Sequence, residues 1–445
     1  MAWLWAATLV TLPWVGVDVI VLTTGRDAGA GLQPAWLLMA ATWVCSLRVT
    51  PWRALPVRWR WCLAAGVFAV LASGFGLGLA PAGVGTATAL ARFGRQAVQL
   101  GIMAAFALWP LLHVRGAAAW RFTARWLVVG ALFQAAYGLL QQVGFFHPLP
   151  LLASLEKVFT SNPSIFSGSG QLYVGDHFLR VPRLRGTACE PLYLGNYLLL
   201  ALALVPLAWR GRRRLATAGA ALGLLLLLTW SRGAWLGAMG GALVGAWLGW
   251  PAVDAAVARR WAWRAAVAAA LGLGIAVAAA FAGWEPLLLP LRRLAQTFSA
   301  HDWSNLTRLY SLQAAWRAFR LSPVCGIGWG QFGWHFPALV DPAGLQAMFT
   351  WPVVANFPLL VLCETGVLGF GTMACAVGGL WRRLARCRAA GASLPVVLTG
   401  AAGVAIAIQS LTFSQYNLPH AWVALGLLGA ALLDGLPGSA ARGDL

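Results

Sequence analysis

The chain has 445 residues, of which 60% are hydrophobic and only 10% carry charge, and its mean hydropathy is +0.73. Soluble domains of this total length need far more polar surface, so the composition indicates an integral membrane protein. The formal net charge of +20 does not indicate a nucleic-acid partner, because the cytoplasmic arginines flank apolar segments, where anionic lipid headgroups attract them.

Twelve apolar segments of membrane-spanning length follow one another along the chain. They predict an all-α polytopic membrane protein with two long outer loops. The predicted helices cover residues 3–24, 33–48, 61–80, 97–114, 126–144, 189–209, 215–231, 234–250, 265–283, 356–380, 394–413 and 419–434.

These helices divide the chain into six parts. Helices one to five occupy residues 1–144, helices six to nine 189–283, and helices ten to twelve 356–434. Between them lie a first outer loop, 145–188, and a larger second one, 284–355, and residues 435–445 form a cytoplasmic tail.

The second outer loop contains an amphipathic helical segment near residues 303–320. Leu309 and Trp316 share its apolar face, Arg308 lies at the edge of that face, and Arg317 points the opposite way. We therefore expect Arg308 to be partly buried and Arg317 to be solvated. A helix lying on the membrane surface is the alternative interpretation of this segment.

Five arginine-rich loops fall on one side of the predicted topology, which the positive-inside rule makes cytoplasmic. The other loops still hold basic residues that topology does not require, and an anionic ligand on the outer face would explain them. These residues are Arg26, Arg92, Arg95, Lys157, Arg180, Arg183, Arg185, Arg232, Arg292, Arg293, Arg308, Arg317 and Arg320.

Ionisable residues within or beside membrane spans are functional candidates. Asp18 lies inside the first predicted span and Glu364 about two turns into the tenth, where each either functions or makes an interhelical contact. Glu190 opens the sixth span, five residues after Arg185. Together with Arg183, this group can hold a pyrophosphate and place a base beside it; the alternative is that the three side chains pair with each other.

Histidine is the usual general base, and His301 and His335 lie in the second outer loop. The histidines are scattered, without an HxxxH or HExxH spacing, so no metal site is predicted.

A series of different short motifs lies between about residues 180 and 430. They are Arg185-Gly186, Glu190-Pro191, Gly195-Asn196-Tyr197, Thr229 to Trp235, Arg308 with Trp316, Ser322-Pro323, Gly326-Ile327-Gly328, Asn356, Glu364 to Gly369, and Asn417-Leu418-Pro419. In this order they resemble the bacterial O-antigen ligase and polysaccharide polymerase superfamily of membrane glycosyltransferases. The first half of the chain adds only topology to the resemblance.

The resemblance implies a GT-C-like enzyme of the bacterial inner membrane, with its active site facing the periplasm. It implies an undecaprenyl-diphosphate-linked glycan as donor, a polysaccharide or lipid acceptor, and transfer without a metal or other cofactor. Arginines at the positions of Arg185, Arg232 and Arg308 are then expected to bind the diphosphate, with Arg183 beside them, and Glu190 is expected to act as the base. Asn356, Glu364, His301 and His335 are secondary candidates.

One position departs from the ligase pattern. Ligases of this family usually carry a histidine just before the asparagine that matches Asn356, and here that residue is Ala355. The Glu190-Pro191 pair also looks more like the polymerases. A polymerase of O-antigen or exopolysaccharide repeat units is therefore favoured over a ligase that transfers glycan to lipid A-core. A lipid-linked glycan flippase is the alternative of another class, although the pseudo-repeated halves that it predicts are not seen.

Overall fold

The protein folds into a bundle of helices. The structure is a computed structural model and describes residues 1–26, 31–52, 55–81, 83–161, 173–174, 181–188, 190–249, 303–340 and 352–434. Its helices are α1 Ala2–Thr11, α2 Val19–Thr24, α3 Pro34–Ser46, α4 Val57–Ala72, α5 Thr86–His113, α6 Gly116–Phe146, α7 Pro150–Phe159, α8 Pro191–Ala208, α9 Arg212–Leu228, α10 Arg232–Gly249, α11 Trp303–Leu321, α12 Phe332–Val340, α13 Phe357–Ala389, α14 Leu394–Gln409 and α15 Pro419–Asp434. Two short strands, β1 Tyr173–Val174 and β2 Val181–Pro182, pair antiparallel.

Five of the described helical stretches are long and apolar enough to cross a membrane: Val57–Leu79, Thr86–His113, Gly116–Phe146, Pro191–Ala208 and Phe357–Ala389. Shorter apolar helices accompany them at Ala2–Thr11, Pro34–Val49, Leu394–Gln409 and Pro419–Asp434. The protein is thus a helical membrane protein. The count of twelve spans stays a prediction, and the predicted span 265–283 lies outside the described residues.

The first predicted span is not one continuous helix. Helix α1 ends at Thr11 and α2 begins at Val19, because Pro13 lacks an amide hydrogen and cannot continue a helix. Asp18 is therefore a helix cap, and its side chain accepts hydrogen bonds from the amides of Ile20 and Val21.

Helix α8 is the centre of the bundle and packs against α6, α9, α10, α14 and α15. Its sequence is apolar on all sides, as a fully surrounded helix requires. One polar residue of α8, Asn196, is completely buried, donating to Gln409 Oε1 at 3.1 Å and lying 2.9 Å from His420 Nε2. This network joins α8, α14 and α15 and satisfies polar groups that would otherwise be buried alone.

Helices α10 and α14 make the most extensive helix pair among the described elements. The two backbones approach closely at small residues: a Cβ added to Gly237 would lie 2.5 Å from Ala405 O, and one added to Gly241 2.7 Å from Ala401 O. Small residues at this spacing allow close helix packing in membrane proteins.

The course of α8 and α9 separates two ends of the bundle. Helix α8 has 18 residues and is about 27 Å long, so Glu190 and Trp209 lie at opposite ends. Helix α9 then returns, which brings Thr229 back to the end where Glu190 lies. Arginine-rich segments lie at the other end, where Arg115 forms a 3.2 Å ion pair with Asp434.

Candidate functional site

The tip of the hairpin between α9 and α10 is built by a strained turn. Trp230 has φ 52°, a left-handed value that is rare for a bulky side chain. The turn is held by Ser231, whose amide donates to Thr229 Oγ1 at 3.3 Å and whose hydroxyl accepts from the amide of Ala234 at 3.4 Å. Such strain persists where the surroundings enforce it and is common at functional sites. The turn starts α10 at Arg232, whose side chain is only 6% exposed.

A second segment lies along this tip. The amide of Leu184 donates to Leu228 O at 2.9 Å, and Arg183 Nε donates to Thr229 O at 3.1 Å. The segment that precedes α8 is thereby fixed to the hairpin. Arg183 and Arg232 are brought to the same turn although they belong to different parts of the sequence.

Glu190 lies directly before the apolar helix α8, at its N-cap position. Burial raises the pKa of its carboxyl group, and the nearby positive charge of Arg183 and a hydrogen bond from Tyr193 oppose that shift. Tyr193 Oη donates to Glu190 Oε1 at 3.4 Å. A half-buried carboxylate therefore stands close to Arg183 at the hairpin end of the bundle.

Helix α11 carries Arg308, the third arginine of the candidate site. Arg232 Nη2 donates to Asn305 Oδ1 at 3.3 Å, which joins the start of α10 to the first turn of α11. Arg308 lies three residues after Asn305, on the same side of that helix, and is half-buried. The sequence analysis did not predict a role for Asn305. The signal that could have identified it is its position three residues before Arg308, which places both residues on one side of a helix.

The inward face of α11 differs from the one that the apolar pattern suggested. Ala314, Ala315 and Ala318 are fully buried, whereas Leu309 and Trp316 are about half exposed at 49% and 51%. Small alanines let α11 approach α12 and α13 closely, so the larger apolar side chains are left outside. The outward position of Leu309 and Trp316 suits the alternative interpretation of this segment, a helix lying on the membrane surface.

The position that departs from the ligase pattern lies beside Arg308. Ser311 Oγ donates to Arg308 O at 2.8 Å and accepts from the amide of Ala355 at 3.1 Å. Ala355 is thus held against the same turn of α11 that carries Arg308.

Arg185 has a partner that the sequence did not indicate. Its Nη2 forms a 2.8 Å ion pair with Glu156 Oε2 of α7, and Glu156 also accepts from Tyr137 at 3.0 Å and Gln141 at 2.8 Å. Among the described residues, the other terminal nitrogen, Nη1, is buried without a hydrogen-bond partner. Arg185 therefore has one nitrogen fixed by α7 and one with unused hydrogen-bonding capacity.

Glu364 binds backbone amides and has no hydrogen bond to Arg183, Arg185 or Arg232 among the described contacts. Its carboxylate accepts from the amides of Gly330 at 2.8 Å and Phe332 at 3.0 Å, and so anchors the loop before α12. Arg92 Nε donates to Gly330 O at 2.6 Å and holds the same loop. These contacts are structural.

The remaining candidates are also placed. Asn356 caps α13 by accepting from the amide of Leu359 at 2.9 Å, and it donates to Leu411 O at 3.1 Å. His335 is 3% exposed on α12, and burial lowers its pKa to about 4, so it is neutral and weakly basic at neutral pH. His301 lies outside the described residues.

Within the described ranges, no group of three or more His, Cys, Asp or Glu side chains is arranged to hold a metal ion. The candidate site there is formed by Arg183, Arg232 and Asn305, with Glu190 close to Arg183. Arg308 lies one turn after Asn305 on α11, and Arg185 follows Arg183 by two residues. Its positive charges suit a phosphate-containing ligand.

A comparison with known protein families gives a match that includes part of the candidate site. A family model described as O-antigen ligase matches residues 217–374, which include Arg232, Asn305, Arg308 and Glu364 but not Arg183 or Glu190. No curated protein matches the chain. Residues 217–374 are therefore similar to the O-antigen ligase family, which supports the resemblance to the O-antigen ligase and polysaccharide polymerase superfamily.

Proposed function

We propose that this protein is an inner-membrane glycosyltransferase that takes glycan from undecaprenyl diphosphate and polymerises O-antigen or exopolysaccharide repeat units on the periplasmic face. One observation carries the proposal: Arg183 and Arg232 lie at the α9–α10 tip with Glu190 close to Arg183, and Asn305, which binds Arg232, is one helical turn from Arg308. Guanidinium groups can stabilise the charge on a leaving diphosphate, and a nearby carboxylate can accept the proton of the attacking hydroxyl.

In the proposed step, the oxygen of an acceptor hydroxyl forms a bond to the anomeric carbon of the donor. The bond between that carbon and the diphosphate oxygen breaks, and its electron pair leaves with the lipid diphosphate. The hydroxyl proton passes to the carboxylate of Glu190. Direct displacement of this kind inverts the configuration at the anomeric carbon.

The arginines would stabilise the negative charge that grows on the leaving diphosphate. Guanidinium groups bind phosphate oxygens through two parallel hydrogen bonds, and their positions are set before the substrate arrives. Arg232 is held by Asn305, and Arg183 by the backbone of Thr229. The unused Nη1 of Arg185 offers one further donor.

Glu190 suits the role of the base because its environment makes it a better proton acceptor than an exposed carboxylate. Burial raises its pKa, while Arg183 keeps the ionised form accessible. Glu156 is a poorer candidate, since it already accepts from Arg185, Tyr137 and Gln141.

Ligation of glycan to lipid A-core is the second candidate function, and the description of the matching family favours it. Against it stands Ala355, which offers no imidazole beside Arg308 to activate an acceptor. The alanine therefore favours polymerisation.

Turnover by the purified protein with lipid-linked repeat units tests the proposal. A ladder of glycan lengths is expected. Transfer of one glycan to a separate lipid acceptor would replace polymerase by ligase. Movement of lipid-linked glycan across vesicles without a new glycosidic bond would overturn the enzyme proposal and favour a flippase.

A further inference from the structure

A basic cavity lies at the end of the bundle opposite the candidate site. It has a volume of about 340 Å³ and is lined by two arginines from α6, two that flank the α8–α9 turn, and two apolar residues. The lining residues are Arg121, Arg125, Ala208, Trp209, Arg210 and Arg214. This cavity has no part in the proposed transfer.

The folded chain forces these arginines together. Arg121 and Arg125 are one turn apart on α6, and Gly211, with φ 107°, turns the chain so that Arg210 and Arg214 face the same cavity. Like charges at this spacing repel each other. The positive-inside rule requires arginines at this end, but it does not require four of them to converge on one cavity.

No described carboxylate compensates this charge. Asp18, Glu156, Glu190 and Glu364 have partners elsewhere in the fold, and Asp434, at the basic end, is paired with Arg115 at 3.2 Å. A bound anion from outside the described chain would therefore lower the electrostatic energy of the cavity.

The position of the cavity indicates which chemical class of anion it binds. It lies where apolar helices end, and the indole of Trp209 lines it, as tryptophan does at the headgroup level of membranes. Basic pockets between membrane helices bind headgroups that carry more than one phosphate charge. We infer that Arg121, Arg125, Arg210 and Arg214 form a binding site for an anionic phospholipid, with highest affinity for a headgroup that carries two phosphodiesters.

Lipid binding by the detergent-purified full chain tests this inference independently of glycosyl transfer. Native mass spectrometry would compare cardiolipin, which carries two phosphodiesters, with phosphatidylglycerol and phosphatidylethanolamine. The expected order of affinity follows the headgroup charge. The double variant Arg125→Gln/Arg214→Gln should bind cardiolipin about 30-fold more weakly, because each arginine near a charged headgroup contributes roughly fivefold.

Arg213→Gln is the matched control, since Arg213 lies on α9 next to Arg214 but does not line the cavity. It should change cardiolipin affinity by less than about twofold. Equal losses in the control and the double variant would mean diffuse surface attraction and would overturn the site. Unchanged binding in the double variant would overturn it as well.

Thermal unfolding of the wild-type chain provides a second measurement that does not depend on a variant folding. Cardiolipin-containing phosphatidylcholine vesicles should raise the Tm more than pure phosphatidylcholine vesicles do. If inorganic diphosphate without lipid gives the same increase in the wild-type chain but not in Arg125→Gln/Arg214→Gln, the cavity binds a soluble anion and the lipid assignment is wrong.

Discussion

Glu190 is the residue on which the proposed chemistry depends most directly. Replacing Glu190 with Gln keeps the shape and the contact with Tyr193 but removes the base. We expect most of the turnover to be lost while lipid-linked donor binds with similar affinity. Single-turnover rates and donor binding, measured on the same preparation, separate these two effects. Normal turnover by Glu190→Gln would make the carboxylate structural and would move the base to His335 or His301.

The pH dependence of turnover provides a further test of Glu190. Burial raises the folded-state pKa of this carboxyl above its ordinary 4.5, and the base works only when ionised. Wild-type turnover is therefore expected to fall as the pH drops through the raised pKa of Glu190. The residual turnover of Glu190→Gln should be flat over that range. A wild-type profile that is equally flat would contradict the assignment.

The arginines are expected to differ in importance according to their placement. Arg232 is buried and donates a hydrogen bond to Asn305, and Arg308 is half-buried one turn after Asn305 on α11. Arg317, in contrast, is exposed and donates to Leu339 O. Arg232→Ala and Arg308→Ala should each lower turnover by roughly 100-fold or more, since each removes a preorganised contact to developing charge. Arg317→Ala, on the same helix as Arg308, is the control and should be mild. Equal losses in all three would indicate a diffuse electrostatic field.

At the scale of elements, the break in α13 positions the loop that Glu364 anchors. Gly366 has φ 64° and ψ −165° inside the helix, and a Cβ there would lie 2.1 Å from Val324 O. The amides of Val367 and Leu368 donate to Pro323 O and Val324 O. The break therefore lets the Ser322–Phe332 segment bond to the middle of a long apolar helix.

Substitution of Gly366 tests this arrangement. Gly366→Ala should destabilise the protein by roughly 3 kcal/mol or more, because both the backbone conformation and the close contact oppose a side chain. Gly371→Ala is the matched control on α13, since its Cβ would meet nothing within 4 Å, and it should be neutral or slightly stabilising. Thermal unfolding in detergent measures both. A Tm for Gly366→Ala that equals the wild-type value would show that the break is not required.

Element packing also explains where sequence patterns misled. The period of α11 correctly indicated a helix, but Leu309 and Trp316 lie outward while Ala314, Ala315 and Ala318 lie inward. Hydrophobicity alone does not choose between a protein neighbour and a lipid neighbour, because both are apolar. The face of α11 that packs against other helices is the one that allows the closest approach, which is the face with the smallest side chains.

At the scale of the whole molecule, the predicted topology puts both chain ends and all five arginine-rich loops on the cytoplasmic side. Reporter fusions at residues 170 and 330 are expected to indicate the periplasm, and fusions at 212 and 385 the cytoplasm. A reversed reporter at any of these positions would contradict the predicted layout and the periplasmic location of the site.

The sequence by itself determined that the chain forms apolar helices, since a membrane interior leaves the backbone no partner outside its own helix. It also predicted Arg185, Arg232, Arg308 and Glu190 as one group, through their order in family motifs, with Arg183 beside them. Only the tertiary structure decided their partners: Arg185 pairs with Glu156, Arg232 with Asn305, and Glu364 with the amides of Gly330 and Phe332. Each of these contacts joins segments far apart in the chain. Their geometry follows from how whole helices pack, which no local pattern of residues encodes.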